Sequence, residues 1–154
     1  VYGKILKNFS TTVAVMTITM NPEHALTTYE GGCHCGAVRF AVDVAPQPEI
    51  EDCNCSICRK TGFLHLIVPR SRFRLLQGES MLQTYRFNTG IAQHYFCKTC
   101  GIKPFYIPRS NPDGVDVNVR CLDREIADMQ VVKFDGQHWE QHAHTLAHKS
   151  QSSD

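Results

Sequence analysis

A chain of 154 residues, 42% hydrophobic and 20% charged, has the length of one ordinary domain. Folding at this size buries roughly 68–70% of the unfolded chain's surface, which excludes a miniprotein held only by covalent staples. A formal charge of +1 gives no global field for nucleic acid or an anionic membrane, so neither is an expected partner; no run of about 18 apolar residues is present to span a bilayer.

Residues 1–26 read as a leader, flexible by expectation. Lys4 and Lys7, five Ser/Thr residues and no acid before Glu23 mildly resemble an organelle transit peptide, although arginine is lacking. Met16 or Met20 would serve as a natural start. Thr17 and Thr19 interrupt the short apolar stretch, which argues against a secretory signal, so the cytoplasm is expected, with nucleus and organelle as alternatives. A domain over 27–140 follows. Ala37 to Val44 alternates as a strand behind a Gly-rich turn. Ile50 to Asn54, Leu64 to Val68, Phe73 to Leu76, Leu82 to Phe87, Ala92 to Phe96, Lys103 to Ile107 and Val115 to Val119 are further strand-like runs. Turn signals at Ala45-Pro46, Gln77-Gly78, Asn88-Thr89-Gly90 and Asn111-Pro112-Asp113-Gly114 separate them. Only Leu122 to Met129 reads as helical. Many short strands with regular turns predict a mainly β domain. Residues 141–154, with His142, His144 and His148, read as a solvated polar tail.

Seven of the eight cysteines fall in three clusters: Cys33-His34-Cys35, Cys53-Asn54-Cys55-Ser56-Ile57-Cys58, and Cys97-Lys98-Thr99-Cys100-Gly101. Disulfides explain them poorly. An odd number cannot pair internally, C-x-C pairs close strained rings, and an oxidising compartment is not indicated. Zinc fits better. In an extended strand residues i and i+2 share a face, so Cys33 and Cys35 offer two sulfurs to one ion, as do Cys53 and Cys55. Cys97-x-x-Cys100-Gly101 has knuckle spacing, its glycine relaxing the turn behind the thiolates. The economical partition places Cys33, Cys35, Cys97 and Cys100 around one closed, structural zinc. Cys53, Cys55 and Cys58 then supply three thiolates with no neighbouring fourth ligand, the pattern of an open catalytic zinc. Closure by His65, His94 or Cys121 is the competing arrangement, and sharing of Cys97 or Cys100 with the trio is another.

These clusters, together with Gly31-Gly32 before the first, Arg59-Lys60 after the second, Phe105-Tyr106-Ile107-Pro108-Arg109-Ser110, Asn118-Val119-Arg120-Cys121-Leu122-Asp123 and Phe134-Asp135-Gly136-Gln137-His138-Trp139-Glu140, resemble the glutathione-dependent formaldehyde-activating enzyme family, whose animal members are similar to centromere protein V. The resemblance covers about Thr27 to Glu140. It implies a compact domain of small twisted antiparallel β-sheets, of the β-tent type, with two zinc ions. Carried over position by position, Cys33, Cys35, Cys97 and Cys100 match structural ligands, and Cys53, Cys55 and Cys58 match catalytic ones. The implied activity is that of a carbon-sulfur lyase or synthase joining glutathione and formaldehyde as S-(hydroxymethyl)glutathione. A similarity to centromere protein V also implies a competing role as a non-enzymatic zinc module for protein interaction.

Three thiolates and a vacancy suit thiol chemistry, because coordination deprotonates a thiol whose free pKa is about 8.5. Polarisation of the aldehyde oxygen is the alternative route. Glutathione carries two carboxylates, so Arg59, Lys60 and Arg109 are its expected contacts, with Arg120 a further candidate. His65 and His94 are candidates to carry the alcohol proton. Cys121 reads as a small buried residue.

Overall fold

Ten strands form two sheets in the computed structural model, which describes residues 25–151. The leader reading for residues 1–24 lies outside the described residues. The smaller sheet joins β1 (Thr27–Gly32), β2 (Arg39–Val44) and β5 (Phe73–Gln77), all antiparallel, in the order β1-β2-β5. The larger sheet uses β3 (Glu49–Cys53), β4 (Leu64–Pro69), β6 (Leu82–Tyr85), β7 (Gln93–Cys97), β8 (Phe105–Ile107), β9 (Gly114–Asn118) and β10 (Gln130–Phe134). Its order is β10-β3-β4-β9-β8-β7-β6. The mainly β fold is as expected. One departure from an all-antiparallel arrangement occurs at the edge, where β10 runs parallel to β3.

Burial follows position in the sheets. β9 occupies the middle of the seven strands and every one of its residues is buried, which its sequence Gly-Val-Asp-Val-Asn achieves by placing Val115 and Val117 in the core and leaving Asp116 to be partnered. Phe40 of β2 and Phe73 of β5 meet Phe105 of β8, with ring centroids 6.0 and 4.7 Å apart, so an aromatic cluster joins the two sheets. Such contacts exceed plain area burial by about 0.5–1.5 kcal/mol per pair.

Three local readings are corrected. Leu122 to Met129 is turn and irregular chain rather than helix; its apolar residues Ile126 and Met129 pack onto the core without a helical repeat. The helix that does form is α1 (Ser56–Thr61), inside the second cysteine cluster and closed by Gly62 at φ 63°, a left-handed stop. The segment read as a solvated tail folds as a short helix, α2 (Trp139–His142), and a 3-10 helix over Ala143–Ser150. Asn111 donates from Nδ2 to the Leu146 carbonyl at 2.9 Å and to Ser150 Oγ at 2.9 Å, and Leu146 and Ser150 are buried.

Candidate active site and metal centres

Two groups of sulfurs assemble. Cys33 and Cys35 sit in the turn between β1 and β2, not in an extended strand: the Gly36 amide donates to the Cys33 carbonyl at 3.1 Å and Gly36 takes φ 77°. Cys97 ends β7, and the Gly101 amide, at φ 73°, donates back to the Cys97 carbonyl at 2.9 Å to make the knuckle that carries Cys100. These four Sγ atoms lie within 4.8 Å of one another. Cys33 to Cys35 is 3.6 Å and Cys35 to Cys97 is 3.7 Å. A tetrahedron of sulfurs at about 2.3 Å from zinc has edges of about 3.8 Å, so this donor set fits such an ion.

The second group comprises Cys53 at the end of β3, Cys55 at the N-cap of α1 and Cys58 in its first turn, again within 4.8 Å. Among the described residues no fourth His, Cys, Asp or Glu joins them. Mutual contact divides the thiols: Cys53 holds its neighbour Cys55 down to about 2, while Cys53 and Cys55 together drive the buried Cys58 far up. A cation shared by all three would remove that conflict. Gly136 closes the back of the trio. A Cβ there would lie 2.3 Å from Cys53 Sγ and 3.0 Å from Cys55 Cβ. Asn54 locks the two loops together, donating to Asp135 at 2.9 Å and accepting from the Gln137 amide at 3.0 Å.

The trio opens on a cavity of about 390 Å³. Its floor is a row across the larger sheet. Register sets Glu51 opposite His65, Asp116 opposite Tyr106, and Tyr106 opposite His94, and directly paired residues share a sheet face. His65 Nδ1 donates to Asp116 Oδ2 at 2.7 Å, which leaves Nε2 as the free ring position. His65 Nε2, both ring nitrogens of His94, Glu51 Oε2 and Asp116 Oδ1 are buried with no hydrogen-bond partner among the described residues. Burial, then the Lys103 charge, pushes His94 down to about 4. Lys103 itself is buried, its ammonium 4.1 Å from the centroid of Tyr106 and 4.5 Å from that of Phe63. Burial lowers its pKa, and the thiols of Cys58, Cys55 and Cys53 with Asp116 act against that.

The expected glutathione contacts divide. Arg109 lines the cavity, stacked 3.4 Å over the Trp139 ring and donating to Glu140 at 2.7 Å. Arg59 and Lys60 are exposed in the last turn of α1, and neither lines the cavity; helical periodicity turns them away when Cys58 faces inward. Arg120 is likewise exposed and outside it. His65 and His94 reach the cavity without joining the trio, and Cys121 joins neither group, its Sγ lying 3.8 Å from the Lys103 carbonyl. Sequence reasoning missed Glu51, Asp116, Lys103 and Gly136. A lone acid in the apolar run Val115-Asp116-Val117, and an acid two residues before Cys53 on one strand face, were the available signals.

A Halomonas elongata protein named, as a provisional assignment, a glutathione-dependent formaldehyde-activating enzyme is 36% identical over 106 residues, which span 63% of this chain and 67% of that one. A crystal structure of a Rhodobacter sphaeroides protein is similar with a TM-score of 0.59 and 37% identity, covering 64% of this chain and 91% of its own. The family model for glutathione-dependent formaldehyde-activating enzyme matches residues 28–142. With three cysteine clusters folded into one quartet and one trio inside that match, the chain belongs to the glutathione-dependent formaldehyde-activating enzyme family.

Proposed function

We propose that the protein is a zinc-dependent carbon-sulfur lyase or synthase that joins glutathione and formaldehyde, or a closely related small aldehyde, as S-(hydroxymethyl)glutathione. The observation that carries the reading is the three-cysteine group at the wall of a cavity of about 390 Å³, with no fourth protein donor among the described residues. One zinc would be held by Cys53, Cys55 and Cys58 and a second by Cys33, Cys35, Cys97 and Cys100. At the trio, zinc supplies a cation that favours the thiolate form of an entering thiol.

The chain's own residues account for the rest. The sulfur-carbon bond forms, the carbonyl π pair moves to oxygen, and the thiol proton ends on that oxygen. His65 Nε2 suits the proton's passage, because Asp116 fixes the ring through Nδ1 and leaves Nε2 as the free position. The buried ammonium of Lys103 offsets negative charge gathered at the trio. Among the described residues Arg109 is the one Lys or Arg in the cavity wall for a substrate carboxylate, which would displace the exposed Glu140. Eight free cysteines suit a reducing compartment, and the cytoplasm is the proposed location. Among the described residues no helix is long and apolar enough to cross a membrane.

Exchange spectroscopy by NMR tests the reading. Zinc-loaded protein is expected to accelerate exchange between formaldehyde-glutathione adduct and free components above the spontaneous rate measured in buffer. Exchange at the buffer rate at every zinc loading overturns it.

A further inference from the structure

The reading above leaves one buried acid unused. Glu51 stands on β3 two residues before Cys53, so both side chains leave the same face of that strand, about 7 Å apart along it. Glu51 lines the same cavity as the trio and is only 3% exposed. Its Oε1 is held by Lys149, which arrives from the 3-10 helix behind it and also pairs with Glu49 at 3.0 Å. Its Oε2 has no partner among the described residues. A buried carboxylate oxygen without a donor is costly, so it calls for a partner from outside the described side chains.

Lys149 anchors one oxygen and does not line this cavity, so the other oxygen is the half left for a guest. Substrate polarity matches. Among the described residues Arg109 is the only Lys or Arg in the cavity wall, and it suits a carboxylate rather than a positive group. Glu51 shares the cavity lining with Ile67, Leu146 and Asp116, and because Asp116 already holds His65 through Oδ2, Glu51 is the acid left to serve a substrate cation. In glutathione the thiol and the γ-glutamyl ammonium are separated by eight bonds, a reach compatible with a sulfur at the trio and an ammonium two strand residues away.

We infer that Glu51 is a specificity-determining residue whose free carboxylate oxygen receives the α-ammonium of the γ-glutamyl arm, so that the site selects thiols carrying a primary ammonium at that reach. The inference rests on the proposed glutathione reading and extends it to one substrate group. Zinc-loaded full-length protein is titrated calorimetrically at pH 7 with glutathione and with its des-amino analogue, glutaryl-cysteinyl-glycine, which differs only in lacking the ammonium. Wild-type protein is expected to bind glutathione about tenfold more tightly than the analogue, the loss of one charge-assisted hydrogen bond. Glu51→Gln is expected to lose about tenfold for glutathione and to leave the analogue unchanged. Equal wild-type affinities for the two tripeptides overturn the inference while leaving the glutathione reading intact. Equal losses for both ligands in Glu51→Gln overturn it too, since they mark Glu51 as a structural partner of Lys149. Binding of neither tripeptide by wild-type protein overturns the inference together with the reading beneath it.

Discussion

His94 shows how burial at a single position sets the behaviour of the protein in acid. Its ring lies 4.8 Å from Tyr106 and 5.3 Å from Phe87 in stacked arrangements, 5% exposed, with neither nitrogen hydrogen-bonded among the described residues. Burial and then the nearby Lys103 charge hold its pKa at about 4, whereas in the unfolded chain it titrates near 6.5, about. The unfolded state therefore binds more protons between those values. Stability from the neutral ring is complete above the unfolded pKa and is lost as pH falls toward the folded one, on the order of 3 kcal/mol in all. Between about pH 7 and pH 4.5 the melting temperature of wild-type protein should fall relative to that of His94→Phe as pH drops. Phenylalanine keeps the stack and removes the titration. Parallel curves would mean that another group governs the acid limb.

At the scale of elements, the trio depends on a loop that the metal-ligand spacing does not announce. The β10 strand runs parallel to β3, and the loop after it brings Gly136 against Cys53 Sγ and Cys55 Cβ. Gly136→Ala forces a methyl group into the space of the sulfurs. We expect it to abolish or weaken metal binding at the trio by at least tenfold, about the loss seen when support behind a ligand set fails, while the quartet keeps its ion. Metal stoichiometry falling from about two to about one per chain would report this. A variant retaining both ions would show that the loop yields. Much of this region was legible in the sequence: Cys53, Cys55 and Cys58 by their spacing, and eight of the ten strands, one by alternation and seven as short apolar runs set between turn signals. The rest needed register. Glu51, His65, Asp116, Tyr106 and His94 come from five strands, and only their lateral pairing makes them one floor. α1 escaped because six residues carry too little periodicity, and β10 because its run Gln-Val-Val-Lys-Phe is half exposed at an edge. The final 3-10 helix escaped because a polar composition conceals Leu146 and Ser150, whose burial is arranged by Asn111 far away in the chain.

For the whole molecule, the two sulfur groups differ in what they connect. Cys33 and Cys35 belong to the β1–β2 turn of the three-stranded sheet, while Cys97 and Cys100 belong to the β7–β8 connection of the seven-stranded sheet. An ion in the quartet would therefore tie one sheet to the other across 62 residues of sequence between Cys35 and Cys97. The trio lies within the short stretch from β3 to α1 and connects nothing that the chain has not already joined. Apparent binding free energies of structural zinc reach about 10–16 kcal/mol, comparable with the stability of an entire domain. Cys97→Ser is therefore expected to lower the melting temperature by more than about 10 °C or to yield insoluble protein. Cys55→Ser should stay within about 3 °C of wild type and lose glutathione-dependent adduct exchange. A chelator strong enough to empty both centres should then reproduce the Cys97→Ser melting curve in the wild-type protein, because of the two centres only the quartet ties one sheet to the other. Equal destabilisation by the two substitutions would contradict that division. It would mean that the trio, too, is part of what keeps the sheets assembled, and the assignment of one centre to architecture and the other to chemistry would have to be abandoned.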